Sequence, residues 1–154
     1  MNFTHINLGC GNLYKDKWCN VDIGNCKKDL DHNLEVFPWP IPSNVAVHLY
    51  ASHIIEHIKK ENIIPFMREA HRVLMPGGVI EIYSPHYTSK NAFADFTHQI
   101  FVTEDTFSYF CSNGKHRNYG KIYGIDFEFK EQHCGTYKES PESNLDIYHR
   151  LEKI

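Results

Sequence analysis

Two short segments of this chain combine residue types that can hold a nucleoside. Gly9-Cys10-Gly11 lies between Leu8 and Asn12, and Asp22 follows eleven residues after Gly11, with Ile23 beside it. Glycines without side chains let a ligand approach the backbone, and amides exposed there bind a negative group. A carboxylate such as Asp22 accepts two hydrogen bonds from ribose hydroxyls. Taken singly, the glycine pair also makes a tight turn and the acid also caps one. A glycine turn after one strand and an acid at the end of the next is the arrangement that grips a nucleoside from both ends. A second group is rich in histidine: Ala51-Ser52-His53, His57, Ser84-Pro85-His86 and His98. Imidazole, with an unperturbed pKa of about 6.5, serves as a base near neutrality. The plainer alternatives are that His57, next to Glu56, pins a helix to a neighbouring loop, and that His71 lies on a helix surface.

These residues need elements to position them. Residues 5–8 form a short candidate strand stopped by Gly9, residues 19–23 a second ending at Gly24, and residues 45–50 a third. Between the second and third, Pro38, Pro40 and Pro42 forbid a regular ladder and imply an extended loop that can still pack Trp39. Ser52 can cap a turn carrying Ile54, Ile55 and Ile58, and Asn62 or Ile63 opens a helix with Pro65 near its start. Phe66, Met67, Ala70, Val73 and Leu74 make one apolar stripe, which Pro76-Gly77-Gly78 is expected to end. Residues 79–84 then complete a strand, helix, strand unit with its right-handed crossover. Beyond an irregular stretch over 85–102, Thr103 can cap a short helix with Glu104 and Asp105 in its first turn. Residues 123–130 and 145–153 alternate as two strands of an antiparallel hairpin, joined by a loop containing Gly135 and Pro141. The expectation is a single α/β domain over 1–154. Its sheet is Rossmann-like and mostly parallel, with helices on both faces, a C-terminal antiparallel hairpin and no N-terminal helices. Residues 1–84 are its binding core and 85–154 its substrate side.

Composition narrows the class of function. With 154 residues, 42% hydrophobic and 23% charged, the chain fits one globular domain, and a net charge of -3 argues against a nucleic-acid binder or polybasic membrane module. No stretch approaches the roughly 20 apolar residues of a membrane helix, and the first residues lack a basic-then-apolar leader pattern, so a cytoplasmic location is expected. The 5 cysteines include no CxxC pair and signal neither a disulfide framework nor a zinc knuckle. No HExxH or comparable spacing supports a metal site. Phe93, Phe96, Phe101, Phe107, Tyr109 and Phe110 suit an acceptor pocket, although aromatics at such spacing usually form core.

Set in order, LGCGN at 8–12, WCNVDI at 18–23, FPWPIP at 37–42, ASHIIEHI at 51–58 and REAHRVLMPGGVIEI at 68–82 resemble the class I S-adenosylmethionine-dependent methyltransferase superfamily, and within it the small type 11 branch. The resemblance runs from about Ile6 to Phe110. It implies that S-adenosyl-L-methionine is the cofactor, with Gly9, Cys10 and Gly11 along its methionine part, Asp22 on the ribose and Ile23 flanking adenine. Asn33 stands near the position of the family's acid ahead of the proline loop. Ser52 and His53 fall beside the methyl-sulfur centre. The sequence departs from the family pattern in three ways: Leu13 replaces the third glycine, only eight residues separate Gly11 from Asn20, too few for a full crossover helix, and the acid ahead of the proline loop has no single match, with Asn33 in its place and Asp29 and Asp31 just upstream.

The implied activity is methyl transfer to an oxygen or nitrogen of a small-molecule acceptor, in which His53 lies near the donor and His86 or His98 contacts the acceptor. Two other readings follow from the same residues. One is a noncatalytic nucleoside-binding module that needs a partner. The other is a metal-dependent hydrolase using Asp95, His98, His116 and His133. The thin covering at the N-terminal side also suggests an apolar face that a second copy would bury as a homodimer.

Overall fold

The structure is a computed structural model that describes residues 3–154. Its framework is a seven-stranded sheet of β1 (His5–Leu8), β2 (Cys19–Asp22), β3 (Leu30–Asp31), β4 (Ala46–Ser52), β5 (Leu74–Pro85), β6 (Phe129–Tyr137) and β7 (Asp146–Lys153). The strands lie in the order β3-β2-β1-β4-β5-β7-β6. The first five pair in parallel, whereas β7 runs antiparallel to both β5 and β6. The sheet is thus the expected mostly parallel one with a C-terminal antiparallel hairpin. Chain direction along the sheet reverses between β1 and β4, which places the crevice for a ligand beyond the carboxyl ends of those two strands.

Period-two patterning sorts the strands into two faces. Ile6, Val21, Leu49, Ile80, Ile82, Ile147 and Leu151 are buried on one face, in a cluster that also takes in Phe66, Met67, Ala70 and Val73 of α1 (Ile63–Val73). The other face is polar and aromatic. Register brings Tyr50 beside Glu81, Glu81 beside Arg150 and Tyr83 beside Tyr148, all half-buried. Trp18 packs edge-on against His5 and His48 there, and the Lys15 ammonium lies 4.0 Å from the Tyr50 ring centre.

Helices are few. Besides α1 there are α2 (Lys90–Ala94) and α3 (Arg117–Ile122), and the crossovers from β1 to β2, β2 to β3 and β3 to β4 contain none. The short β1–β2 connection is held by Asn20, which is fully buried. Its carboxamide donates to the Lys15 and Trp18 carbonyls and accepts from the Lys15 amide and from Asn7. One side chain thus satisfies backbone groups that a helix would have satisfied internally.

Four boundaries differ from the sequence expectation. The turn after β4 is a 3-10 turn over Ile55–His57 that begins at Ile54 without a side-chain cap, so Ser52 belongs to the strand. Helix α1 stops at Val73, and Leu74 already pairs with Ala46, so Pro76-Gly77-Gly78 forms an excursion inside β5. Residues 103–110 make turns instead of a helix, with Thr103 Oγ1 accepting from the Asp105 amide. Finally, β6 begins at Phe129, and Gly135 is a ladder residue within it. The alternation over 123–129 is real, but Ile125 and Phe127 insert into the core as the chain leaves α3 through Gly124 at φ +81°.

Candidate functional site

Two cavities lie beyond the strand ends and share His57. The smaller, about 220 Å³, is lined by Gly9, Asp22, Ile23, Asn33, Leu34, Ile54 and Ile58, with His32, Glu35 and His57 completing the wall. Gly9 and Gly11 both have positive φ, +63° and +47°, so the loop after β1 turns where only glycine turns freely. A Cβ on Gly9 would stand 2.6 Å from Ile54 Cγ1, which shows how closely the turn after β4 approaches this loop. Asp22 closes the other side. Its Oδ2 accepts from the Gly11 amide at 2.8 Å and its Oδ1 from the Gly24 amide at 2.6 Å. Burial pushes the Asp22 carboxyl upward, but the amides of Gly11, Gly24 and Ile23 and the charge of Lys28 outweigh it, and the group is held below the usual carboxylate range. An anionic acceptor with further lone pairs therefore borders a small, partly apolar space, a combination that fits a ribose and its base.

The larger cavity, about 560 Å³, is lined by His53, Glu56, His57, Pro85, Asn91, Ala94, Asp95, Phe96 and His98. His53 leaves the end of β4 at φ +53°, a strained conformation for a side chain of this size, and its amide donates to the Tyr83 carbonyl at 2.9 Å. Its ring lies between two carboxylates, with Nδ1 3.3 Å from Glu56 Oε1 and Nε2 3.5 Å from Asp146 Oδ2. The hydrogen bond to Glu56 raises the His53 pKa above its ordinary value. Burial opposes this, while the charges of Glu56, Asp146 and Glu139 add to it.

The expected site residues divide into three groups. Gly9, Asp22, Ile23, Asn33 and His57 line the smaller cavity, and His53, His57 and His98 line the larger. Leu8, Cys10 and Ala51 have buried side chains and, like Gly11, line neither cavity. Burial, with the neighbouring Cys26 and Asp22, pushes the Cys10 thiol up to about 12, so it stays protonated. Asn12 and Ser52 line neither cavity. His86 also lies outside both. It is 5% exposed and bonded to Thr88 Oγ1 at 2.6 Å and Glu104 Oε1 at 3.2 Å. The four residues drawn as hydrolase ligands do not converge: Asp95 and His98 are neighbours, but His116 stacks on Tyr109 and His133 packs against Tyr148 on β7.

Sequence reasoning missed Glu56, Asp146 and Ile54, and drew Asp95 only as a ligand of the hydrolase reading. Asp146 comes from the last strand and meets His53 only through the β5–β7 pairing, which local pattern does not reveal. Glu56 was read only as a partner for His57, although an acid between two site histidines on an apolar turn was a usable signal. The aromatic cluster splits: Phe107 and Phe110 are core, whereas Phe93, Phe96 and Phe101 are exposed, Phe96 at 96% on the rim of the larger cavity.

No protein-family model and no curated protein matches the sequence. Solved structures are similar in fold. A SAM-dependent methyltransferase from Archaeoglobus fulgidus superposes with a TM-score of 0.64 at 16% identity, over 99% of this chain and 88% of that one. The N-methyltransferase NodS from Bradyrhizobium japonicum gives 0.62 at 7% identity, over 98% and 85%, and a second structure of it holds S-adenosyl-l-homocysteine. The [4+2]-cyclase SpnF gives 0.62 at 10% identity, over 97% and 73%. The chain has the class I S-adenosylmethionine-dependent methyltransferase fold.

Proposed function

We propose that this chain transfers the methyl group of S-adenosyl-L-methionine to an oxygen or nitrogen of a small-molecule acceptor. The observation that carries the reading is the junction of the two cavities at His57, beyond the carboxyl ends of the strands where sheet order reverses. The smaller cavity, with Asp22 beside glycines at positive φ, suits the nucleoside, Ile23 and Asn33 suit the base, and the backbone of Gly9 at the cavity wall suits the methionine end. The bound cofactor would supply an electrophilic methyl group on sulfur.

The larger cavity would hold the acceptor. Methyl transfer is an in-line displacement, so alignment dominates, and the acceptor proton needs a receiver. His53 is the residue at the cavity with carboxylate partners that orient its ring and stabilise the imidazolium formed when it takes a proton. His98 faces the same space from the opposite loop.

The test is calorimetric titration of the purified chain with S-adenosylmethionine and S-adenosylhomocysteine, repeated on Asp22→Ala. The expected result is micromolar binding of both that Asp22→Ala removes. Absence of binding to either would overturn the reading. Binding without turnover across an acceptor panel would favour the noncatalytic module. The fold also carries the [4+2]-cyclase SpnF, so cofactor binding alone does not define the reaction.

A further inference from the structure

The larger cavity contains a group that proton transfer does not explain. Glu56 is 2% exposed; its Oε1 faces His53, and its Oε2 has no hydrogen-bond partner among the described residues. A buried carboxylate oxygen left unpaired is costly, and such oxygens are normally matched by a donor or a cation. Two imidazoles stand next to this carboxylate. One ligand atom from each of Glu56, His57 and His98 lies within 4.8 Å of the other two, and the two rings meet edge to face with centres 4.7 Å apart.

The outer hydrogen bonds fix how these imidazoles present themselves. His98 Nδ1 lies 2.9 Å from the Ala92 carbonyl, which can only accept, so Nδ1 carries the hydrogen and Nε2 offers a lone pair. Thr97 Oγ1 donates to Asp95 Oδ1 at 2.7 Å and therefore accepts from His57 Nδ1 at 3.0 Å, which leaves His57 Nε2 as a lone pair too. A histidine that donates one ring N–H to an oxygen while its other nitrogen stays open is the arrangement found around bound metals. The Gln99 amide, donating to the Glu56 carbonyl at 2.7 Å, ties the loop bearing His98 to the turn bearing Glu56 and His57. The free oxygen of Asp95, Oδ2, lies 3.9 Å from His98 Nε2, where it can accept from a metal-bound water or become a fourth ligand.

We infer that Glu56, His57 and His98 form a divalent transition-metal site on the wall of the larger cavity, suited by its two nitrogens and one carboxylate to zinc or manganese. Bonds of about 2.0–2.2 Å draw the three donors together by small side-chain adjustments and leave open positions toward the cavity. An oxygen of the acceptor fills one of them. On this account, which rests on the methyltransferase reading, the ion polarises an acceptor hydroxyl whose proton passes to His53. As the oxygen–carbon bond forms, the carbon–sulfur bond breaks and sulfur keeps its electron pair. The site itself does not depend on that reading.

The experiment uses the full chain, stripped with a chelator and titrated with Co²⁺ and Zn²⁺. The expected result is one equivalent of Co²⁺ with visible absorption bands of a nitrogen- and oxygen-ligated ion, displaced by Zn²⁺, and a metal-dependent rise in Tm. His98→Gln and Glu56→Gln lose at least ten-fold in affinity and lose the Tm rise. Thr97→Val, which removes the hydroxyl that accepts from His57 Nδ1 and donates to Asp95 Oδ1, weakens binding by about ten-fold. His133→Ala, remote from the cavity, binds as the parent does. Absence of the Co²⁺ bands in the parent chain overturns the site, as does stoichiometric binding unchanged in His98→Gln and Glu56→Gln. S-adenosylhomocysteine calorimetry on the stripped protein keeps the two readings apart. Retained binding there with no Co²⁺ site removes the metal alone, and a Co²⁺ site without nucleoside binding removes the methyltransferase reading alone.

Discussion

His53 Nε2 stands 3.5 Å from Asp146 Oδ2, so the first residue of the last strand braces the residue that follows β4. The consequence is a pH dependence with opposite signs for stability and activity. Because the folded His53 pKa lies above 6.5, chiefly through its hydrogen bond to Glu56, its contribution to stability is complete below 6.5 and is lost as pH rises through the folded value. A base must be neutral, so kcat/KM rises with pH through that same raised value. Asp146→Asn removes one of the charges that hold it up and moves the acid limb of the kcat/KM profile to lower pH. A limb that stays in place in Asp146→Asn would show that His53 is not the group titrating.

Asp22 behaves in the opposite sense. Its depressed pKa means that its contribution to stability is present above the ordinary carboxylate range and lost as pH falls through the folded value. Asp22→Asn retains one acceptor for the Gly11 and Gly24 amides but lacks the charge. It should cost roughly 1.5–3 kcal/mol of cofactor binding, the range for hydrogen bonds to charged groups, and should flatten the acid side of the Tm against pH curve. Parallel thermal melts and S-adenosylhomocysteine titrations read both. A variant with parental affinity would remove Asp22 from the ribose.

How far the sequence exposed this site follows from where the information lies. Gly9, Gly11 and Asp22 were legible because each is tied to a strand end only a few residues away, and local pattern reports strand ends. His98 was legible only as a histidine in the substrate-side segment, and His86 was chosen with it although it is buried against Glu104. Nothing local separates a histidine that faces a cavity from one that braces a loop. The strand over 129–137 was placed too early because Ile125, Phe127 and Phe129 keep the period of a strand while the chain is still leaving α3. Burial imposes alternation on any extended segment, whether or not it joins a ladder. The missing crossover helix after β1 was legible as a short spacing, but the means of replacing it, the fully buried Asn20, appears only once Lys15, Trp18 and Asn7 are seen around it.

The contact between Gly9 and Ile54 gives a stability prediction with an internal control. Gly9→Ala places a methyl group 2.6 Å from Ile54 Cγ1 and imposes φ +63° on a residue with a Cβ. The left-handed conformation costs about 1–2 kcal/mol and the overlap about 1–3 kcal/mol more. Adding Ile54→Ala removes Cγ1 and Cδ1 but leaves Cβ 2.9 Å away, so the double variant should recover only part of the overlap while the backbone part remains. A double-mutant cycle by urea denaturation measures the coupling. Simple additivity of the two changes would mean that the loop shifts away from Ile54.

The wall of the smaller cavity is anchored from behind. Glu69, 7% exposed on α1, accepts from the Trp39 amide at 2.7 Å and holds the Arg72 guanidinium through both oxygens, at 2.8 and 2.7 Å. Trp39 Nε1 in turn donates to the Leu34 carbonyl at 3.0 Å, and Leu34 lines the cavity next to Asn33. Burial raises the Glu69 carboxyl, but the hydrogen bonds from Arg72 and Trp39 and the Arg72 charge prevail and hold it below its ordinary value. Its stabilisation is therefore present above 4.5 and disappears as pH falls through the folded value. Glu69→Gln keeps the shape but loses the charge, and it should cost about 1–3 kcal/mol, because Arg72 is part-exposed and finds water instead. Through Trp39 and Leu34 the same change loosens the cavity wall, so S-adenosylhomocysteine affinity should fall several-fold although Glu69 touches no ligand. A loss of Tm with unchanged affinity would show that the proline loop carries no positioning role.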